Sequence, residues 1–163
     1  MRLMLHRLCS MHPKLRAYRA DLVKSGALAL QRAGHVSPAA AVVVHDGLET
    51  VAGIEWLAED LRALELLDHN RVTEDGAEAV ALTYVNVKAG WVVKRRLQRG
   101  DHADWLMENE DGSMAVEVSG TVAGDPLGRL GEKKRQVAEC SLPVYRLAVV
   151  VGFERPSILA GSV

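Results

Sequence analysis

Asp104 and Glu117 flank the dipeptide Asp111-Gly112, and that arrangement is the chain's clearest opportunity for chemistry. Aspartate followed by glycine suits a two-residue hairpin, because both loop positions must accept positive φ. With Asp111 and Gly112 as the loop, Glu110 faces Ser113, Glu108 faces Ala115, Leu106 faces Glu117 and Asp104 faces Ser119. Directly paired residues share a face of the sheet. One face then carries Trp105, Met107, Met114, Val116 and Val118, and the other carries Asp104, Leu106, Glu108, Glu110, Ser113, Ala115, Glu117 and Ser119. On the second face Asp104 and Glu117 are diagonal neighbours, about 7–8 Å apart at the backbone. Two carboxylates so placed can converge on a hard divalent cation such as Mg²⁺ or Mn²⁺, which prefers oxygen ligands. Such an ion polarises a phosphoryl oxygen and acidifies an attacking water. The same alternation also describes a half-exposed hairpin whose polar face is only solvated.

The flanking elements decide what can meet those carboxylates. Gly120 to Pro126 is turn-rich, Leu127 to Cys140 reads as a helix, and Leu147 to Val151 is an apolar run suited to a strand buried on both faces. Strand, helix and strand make a crossover that lays the helix on the sheet. If that helix covers the acidic face, Arg129, Lys133 and Gln136 present polar groups to the carboxylates. Upstream, His12-Pro13 opens a predicted helix towards Gly34, with Gly26 as a possible bend, and Ser37 to His45 leans to strand. Asp46 with Glu49 resembles a capping box, and Val51, Ile54, Leu57, Ala58, Leu61 and Leu64 recur at helical spacing behind it. Val80 to Val87 is predicted as a strand, and Trp91 to Leu97 as a strand or a short basic helix. The first ten residues are expected to be poorly ordered.

Taken together, these residues resemble the restriction-endonuclease-like superfamily, known by its PD-(D/E)XK motif. The resemblance implies an α/β fold: a mixed sheet with an αβββαβ core, helices on both faces and an extra N-terminal helical segment. Residues 1–45 would be that extension and 46–163 the nuclease-like core of one compact domain. The core would use the Asp46 helix, strands near 80–87, 103–110 and 113–119, the Leu127 helix and the last strand. By that mapping Asp104 and Glu117 are the metal-binding acids and the Val118 carbonyl is a further ligand for Mg²⁺ or Mn²⁺. Ala103 stands where the family often has proline, and Ser119 stands where it has lysine. Some members supply the lysine from the following helix, which makes Lys133 the substitute, with Gln136 as a contact to phosphate or water. Asp101 rivals Asp104 for the first position, and Glu55 or Glu59 on the second helix is a candidate additional ligand.

Charge is unevenly spread although it sums to -1. Asp46 to Glu78 contains ten acidic residues and only Arg62 and Arg71 as basic ones, whereas Lys94, Arg95, Arg96 and Arg99 form one basic cluster and Arg129, Lys133, Lys134 and Arg135 another. Two such clusters suit a phosphate backbone, nucleic acid being the expected partner, or are two solvated faces. The near-neutral total argues against tight non-specific duplex binding. No apolar run reaches the roughly 18 residues of a membrane span, and the N-terminus lacks the apolar core of a signal peptide. Two cysteines make no disulfide framework, so a cytoplasmic location is expected. His6, Cys9 and His12 lack a fourth partner for zinc, and phosphate-loop, dinucleotide and serine-hydrolase signatures are absent. Three readings remain: a metal-dependent nuclease acting on DNA or RNA, a degenerate relative that binds nucleic acid without cutting it, and an interaction subunit working with a protein partner or as a homo-oligomer.

Overall fold

The computed structural model describes residues 1–17 and 19–163. Its centre is a mixed eight-stranded sheet in the order β1-β3-β2-β8-β7-β6-β5-β4. The strands are β1 (Arg2–Met4), β2 (Ala39–His45), β3 (Leu48–Glu55), β4 (Val92–Arg96), β5 (Trp105–Asn109), β6 (Gly112–Thr121), β7 (Tyr145–Gly152) and β8 (Ser157–Ser162). The α-helices are α1 (Leu8–Met11), α2 (Asp21–Arg32), α3 (Ala63–Leu66), α4 (His69–Ala89) and α5 (Pro126–Ala138). Helix α4, backed by α2, lies on one face, and α5 lies on the other. The chain is therefore α/β, with apolar cores on both sides of the sheet. The larger contains Leu28, Leu82, Tyr84, Met107, Val116 and Val149; the smaller contains Leu106, Ala115, Val137, Cys140 and Ala148. None of the described helices is long and apolar enough to cross a membrane.

Three expectations are corrected. The first concerns Asp46, which caps no helix. With Gly47 it turns the β2–β3 hairpin at φ of 49° and 83°, and His45 pairs with Leu48 across that turn. The apparent helical stripe after it includes Val51 and Leu57, both exposed, whereas Ala52 and Ile54 are buried in the alternation of a strand. The second concerns Val80 to Val87, which is the interior of α4. Asp68 caps that helix by accepting the Arg71 N–H, and Gly90 ends it at φ 69°. Its small residues let it pass between layers: Ala77, Ala79 and Ala81 are fully buried, and a Cβ on Gly76 would lie only 3.0 Å from Ala29 Cβ of α2. Close packing of both faces outweighs the strand preference of the valines and Tyr84. The third concerns residues 1–45, which are not merely a helical extension. They contribute β1 and β2 to the sheet, and Leu3, Leu5 and Leu8 are fully buried, so the first ten residues are built into the core. The helix expected from His12 is a 3₁₀ turn at Pro13–Ala17 followed by α2, and residue 18 lies outside the described residues. His12 itself is buried, accepting the Val93 N–H at Nδ1 and bonding the Leu82 carbonyl through Nε2; it is a strut between α4 and β4.

The β5–β6 hairpin forms with its faces as expected but two residues out of register. Asn109 pairs with Gly112, Leu106 with Ala115 and Trp105 with Val116, so the chain turns through Glu110 and Asp111. A two-residue shift preserves the side-chain faces: Trp105 and Val116 remain on the α4 side, while Glu117 remains on the α5 side. The partner strand β5 begins only at Trp105, whereas β6 runs on to Thr121 beside β7. The sheet therefore forks between β5 and the second half of β6.

Candidate active site at the fork

The fork leaves backbone N–H groups of β6 without a neighbouring strand, and such groups need acceptors. Carboxylates supply them. Asp104 Oδ2 accepts the Val118 N–H at 2.9 Å, while the Asp104 N–H donates to the Val116 carbonyl at 3.0 Å. One step further along, Glu74 Oε2 of α4 accepts the Gly120 N–H at 3.1 Å. Asp104 is thus clamped astride Glu117, closer than the diagonal placement expected opposite Ser119. In a strand, one residue's N–H and C=O point to the same side, so the Val118 carbonyl faces the Asp104 side.

Helix α5 covers this acidic face. Its Asp125 cap accepts the Leu127 N–H, Pro126 occupies the first turn, and Val137 anchors the helix in the smaller core. Residues one turn apart then point at the fork. Lys133 Nζ lies 2.6 Å from Glu117 Oε1 and donates to Gln136 Oε1 at 3.0 Å. Arg129 Nε donates to Ser119 Oγ at 2.7 Å, and its guanidinium lies 3.5 Å from Glu74. From β4, Arg96 reaches both oxygens of Glu78 at 2.7 Å and Asp104 Oδ1 at 3.4 Å. A cleft of roughly 370 Å³ opens over the acid pair, bordered by Arg96, Gln98, Arg99, His102 and Gln136. Larger cavities near His45 and Trp91 (about 470 Å³) and near Leu15 and Val93 (about 610 Å³) are not lined by paired carboxylates, whereas one of about 420 Å³ is lined by Asp21 and Asp75 and one of about 440 Å³ by Asp125 and Glu154.

Burial makes the acids reluctant to ionise. Glu117 is 3% exposed, and burial together with the adjacent Asp104 charge raises its pKa to about 7 against the opposing pull of Lys133. Burial likewise raises Glu78 to about 7, opposed chiefly by Arg96. A carboxyl with a raised folded pKa holds its proton more tightly in the folded state. Its stabilising contribution is full below its ordinary value of 4.5 and is lost as pH rises through about 7. In chelator-treated buffer the unfolding free energy should therefore decline from pH 5 to 8, with a slope approaching about 1.4 kcal/mol per pH unit for each group. Urea titrations of Glu117→Gln and Glu78→Gln should each give a flatter profile than the wild type. Profiles of unchanged slope would mean that neither carboxyl titrates in that window.

The fork gathers Asp104, Glu117, Val118, Lys133, Gln136 and Arg129 in one place, and the other expected residues lie elsewhere. Glu55 pairs with Arg2 on the far edge of the sheet, and Glu59 lies near Lys24 and Gln31. Asp101 folds back to accept the Gln98 N–H. Of the first basic cluster, Lys94 pairs with Glu108 and Arg96 turns inward to the acids, while Arg95 and Arg99 are exposed. Lys134 lays its stem over Gly161 of β8, away from Glu117. Sequence reasoning missed Glu74 and Glu78. Their spacing of one helical turn would have put them on one face, had Asp68 and Gly90 been read as the ends of a helix.

Two carboxylates and a carbonyl form an all-oxygen donor set, which fits a hard divalent cation. The acid set is a pair: no group of three or more His, Cys, Asp or Glu side chains able to hold a metal occurs among the described residues. No protein-family model, curated protein or solved structure matches this chain.

Proposed function

We propose that the chain is a metal-dependent nuclease of restriction-endonuclease-like architecture, hydrolysing phosphodiester bonds of DNA or RNA at the β5–β6 fork. The observation that carries this reading is the contact between Lys133 and Glu117 beside Asp104. A lysine absent from the strand position held by Ser119 reaches the acid pair from α5 instead. The element order α4–β4–β5–β6–α5–β7, with β4, β5 and β6 antiparallel and β7 parallel to β6, also supports it.

Asp104, Glu117 and the Val118 carbonyl would hold Mg²⁺ or Mn²⁺. When bound, that ion supplies polarisation of a phosphoryl oxygen and a more acidic water. The remaining work belongs to the chain. Lys133 offsets negative charge growing on the phosphate, Gln136 orients Lys133 and the entering water, and Arg99 and Arg129 hold neighbouring phosphates. Water oxygen bonds to phosphorus as a P–O ester bond breaks; the departing oxygen takes up a proton, and the water loses one to the surroundings.

Ion uptake is expected to appear as stability. Mn²⁺ should raise the melting temperature of the wild type by mass action, and Asp104→Ala and Glu117→Ala should lose that increment. An equal rise in all three proteins would place the ion elsewhere. The runner-up reading is a nuclease-like chain that binds nucleic acid or a protein partner without cutting. It is favoured by Ser119 and by the pairing of Asp104 and Glu117 with Arg96 and Lys133. Salt-sensitive binding without cleavage in Mn²⁺ would select it.

A further inference from the structure

We infer that Glu78 is a positioning residue: it holds the Arg96 guanidinium back from Asp104 and so keeps Asp104 Oδ1 open to a divalent cation. The inference rests on the cation site proposed above and concerns which of two carboxylates holds Arg96. Asp104 Oδ2 is already engaged, accepting the Val118 N–H at 2.9 Å. Oδ1 is therefore the oxygen left for an ion. It is also the oxygen that Arg96 faces, with Nη2 at 3.4 Å. A guanidinium keeps its charge in a folded protein. Seated fully on Oδ1, it would neutralise that oxygen and repel an arriving ion, so Arg96 and the ion compete for one atom.

The distances assign Arg96 to Glu78. Arg96 Nη1 lies 2.7 Å from both Glu78 oxygens, the length of charge-assisted hydrogen bonds, whereas its 3.4 Å to Asp104 lies beyond that range. Three features support this allocation. The bulge between Val93 and Arg95 brings Arg96 opposite Trp105, whose ring centroid lies 4.7 Å from the guanidinium carbon. Glu78 projects from α4 and is buried, so water competes little for its oxygens. The neighbouring Arg19 lies 3.6 Å from Glu78 but is engaged more closely by Asp75 at 2.6 Å and Asp21 at 3.2 Å. Among the described residues, Glu78 and Asp104 are the two acids that Arg96 contacts. Removing the charge of the first leaves the guanidinium to the second. Glu78 belongs to no metal-holding group of three or more such side chains among the described residues, so its influence on the ion passes through Arg96.

The test is a double-mutant cycle read as Mn²⁺ affinity, from the electron paramagnetic resonance signal of the free ion. It uses the full chain as wild type, Glu78→Gln, Arg96→Gln and the double variant, at pH 8, above the value of about 7 to which burial raises Glu78. Asp104→Ala locates the ion. Glu78→Gln should weaken Mn²⁺ binding by about 10–100-fold, the usual scale for a group that orients a metal's surroundings. Arg96→Gln, which leaves Glu78 untouched, should tighten it. On the Arg96→Gln background, the Glu78→Gln change should cost less than about threefold, because the competitor is gone. An equal loss with and without Arg96 would overturn the inference and leave the ion site standing, since Glu78 would then act by its own charge or by disturbing the fold. Unchanged affinity in either single variant would overturn it as well. An ion bound by Arg96→Gln but not by the wild type would keep the competition and remove the nuclease reading of the native chain. No Mn²⁺ binding by any of the four, or binding that Asp104→Ala leaves unaltered, would end both.

Discussion

Replacing Lys133 with alanine is expected to slow Mn²⁺-dependent cleavage by roughly a hundredfold or more, the scale of losing one oriented group that stabilises developing charge. Lys133 is the cation in contact with Glu117, and the hydroxyl at the expected strand position is already bound to Arg129. Ser119 carries no charge, so it cannot substitute. Arg129 can do so in part, being one turn away on the same face of α5, and Lys133→Arg should retain more activity than Lys133→Ala. Binding, measured by anisotropy with Glu117→Gln backgrounds, should change little, because on the proposed reading Arg95, Arg99 and Arg129 would still meet the phosphates. Rates should be compared at pH and temperature where circular dichroism finds both proteins folded, since the alanine variant leaves a buried carboxyl unpaired. A loss below about threefold would remove Lys133 from the charge-stabilising role.

The second large effect is structural. Gly120→Ala should destabilise the fold by about 1–3 kcal/mol, and Gly120→Val by more, as expected for overpacking. A Cβ at this position would lie 2.5 Å from the Thr73 carbonyl oxygen and 3.0 Å from Ala77 Cβ, so α4 must retreat from β6. The helix backbone cannot yield as a flexible side chain would. Retreat would also draw Glu74 from the Gly120 N–H and loosen the Glu78–Arg96 contact, so cation-dependent stabilisation should shrink along with the melting temperature. Urea unfolding with and without Mn²⁺ measures both effects. A Gly120→Ala protein as stable as the wild type would mean that α4 and β6 are not in close contact there.

Much of the second half of the chain was legible because its signals are local. Alternation around the hairpin, the turn residues of 120–126 before a helix and the apolar run at 147–151 each act over a few residues. The faces of β5 and β6 survived a register error because it was an even number of residues, and that kept Asp104 and Glu117 together. The first half was harder for two physical reasons. Asp46-Gly47 and Asp111-Gly112 are the same dipeptide, yet the first also reads as a helix cap because apolar residues after it fit a 3.6-residue period. Helix α4 hides its ends in polar residues and its middle in valines, and its helicity follows from tight contact with α2 and β6, which no local window contains. The carboxylates of α4 were lost to view with it. Arg96 shows a further limit: a run of basic residues on an edge strand reads as one surface, but the bulge between Val93 and Arg95 breaks the alternation, and Arg96 reaches the acids from it.

The acceptor role of Asp104 bears on how descendants of this chain would decay. Its carboxylate closes the Val118 N–H at the fork, a duty that persists after any catalytic use has ended. Selection for folding alone would keep an acceptor there. Glu117 and Lys133 have no such tie to the backbone; they are a partly buried pair, and an apolar pair of similar volume can often replace such a contact without loss of stability. An inactive lineage would therefore shed Glu117 and Lys133 together while Asp104 endured. Among relatives, the joint presence of the pair, rather than of the aspartate, would mark those still under selection for chemistry.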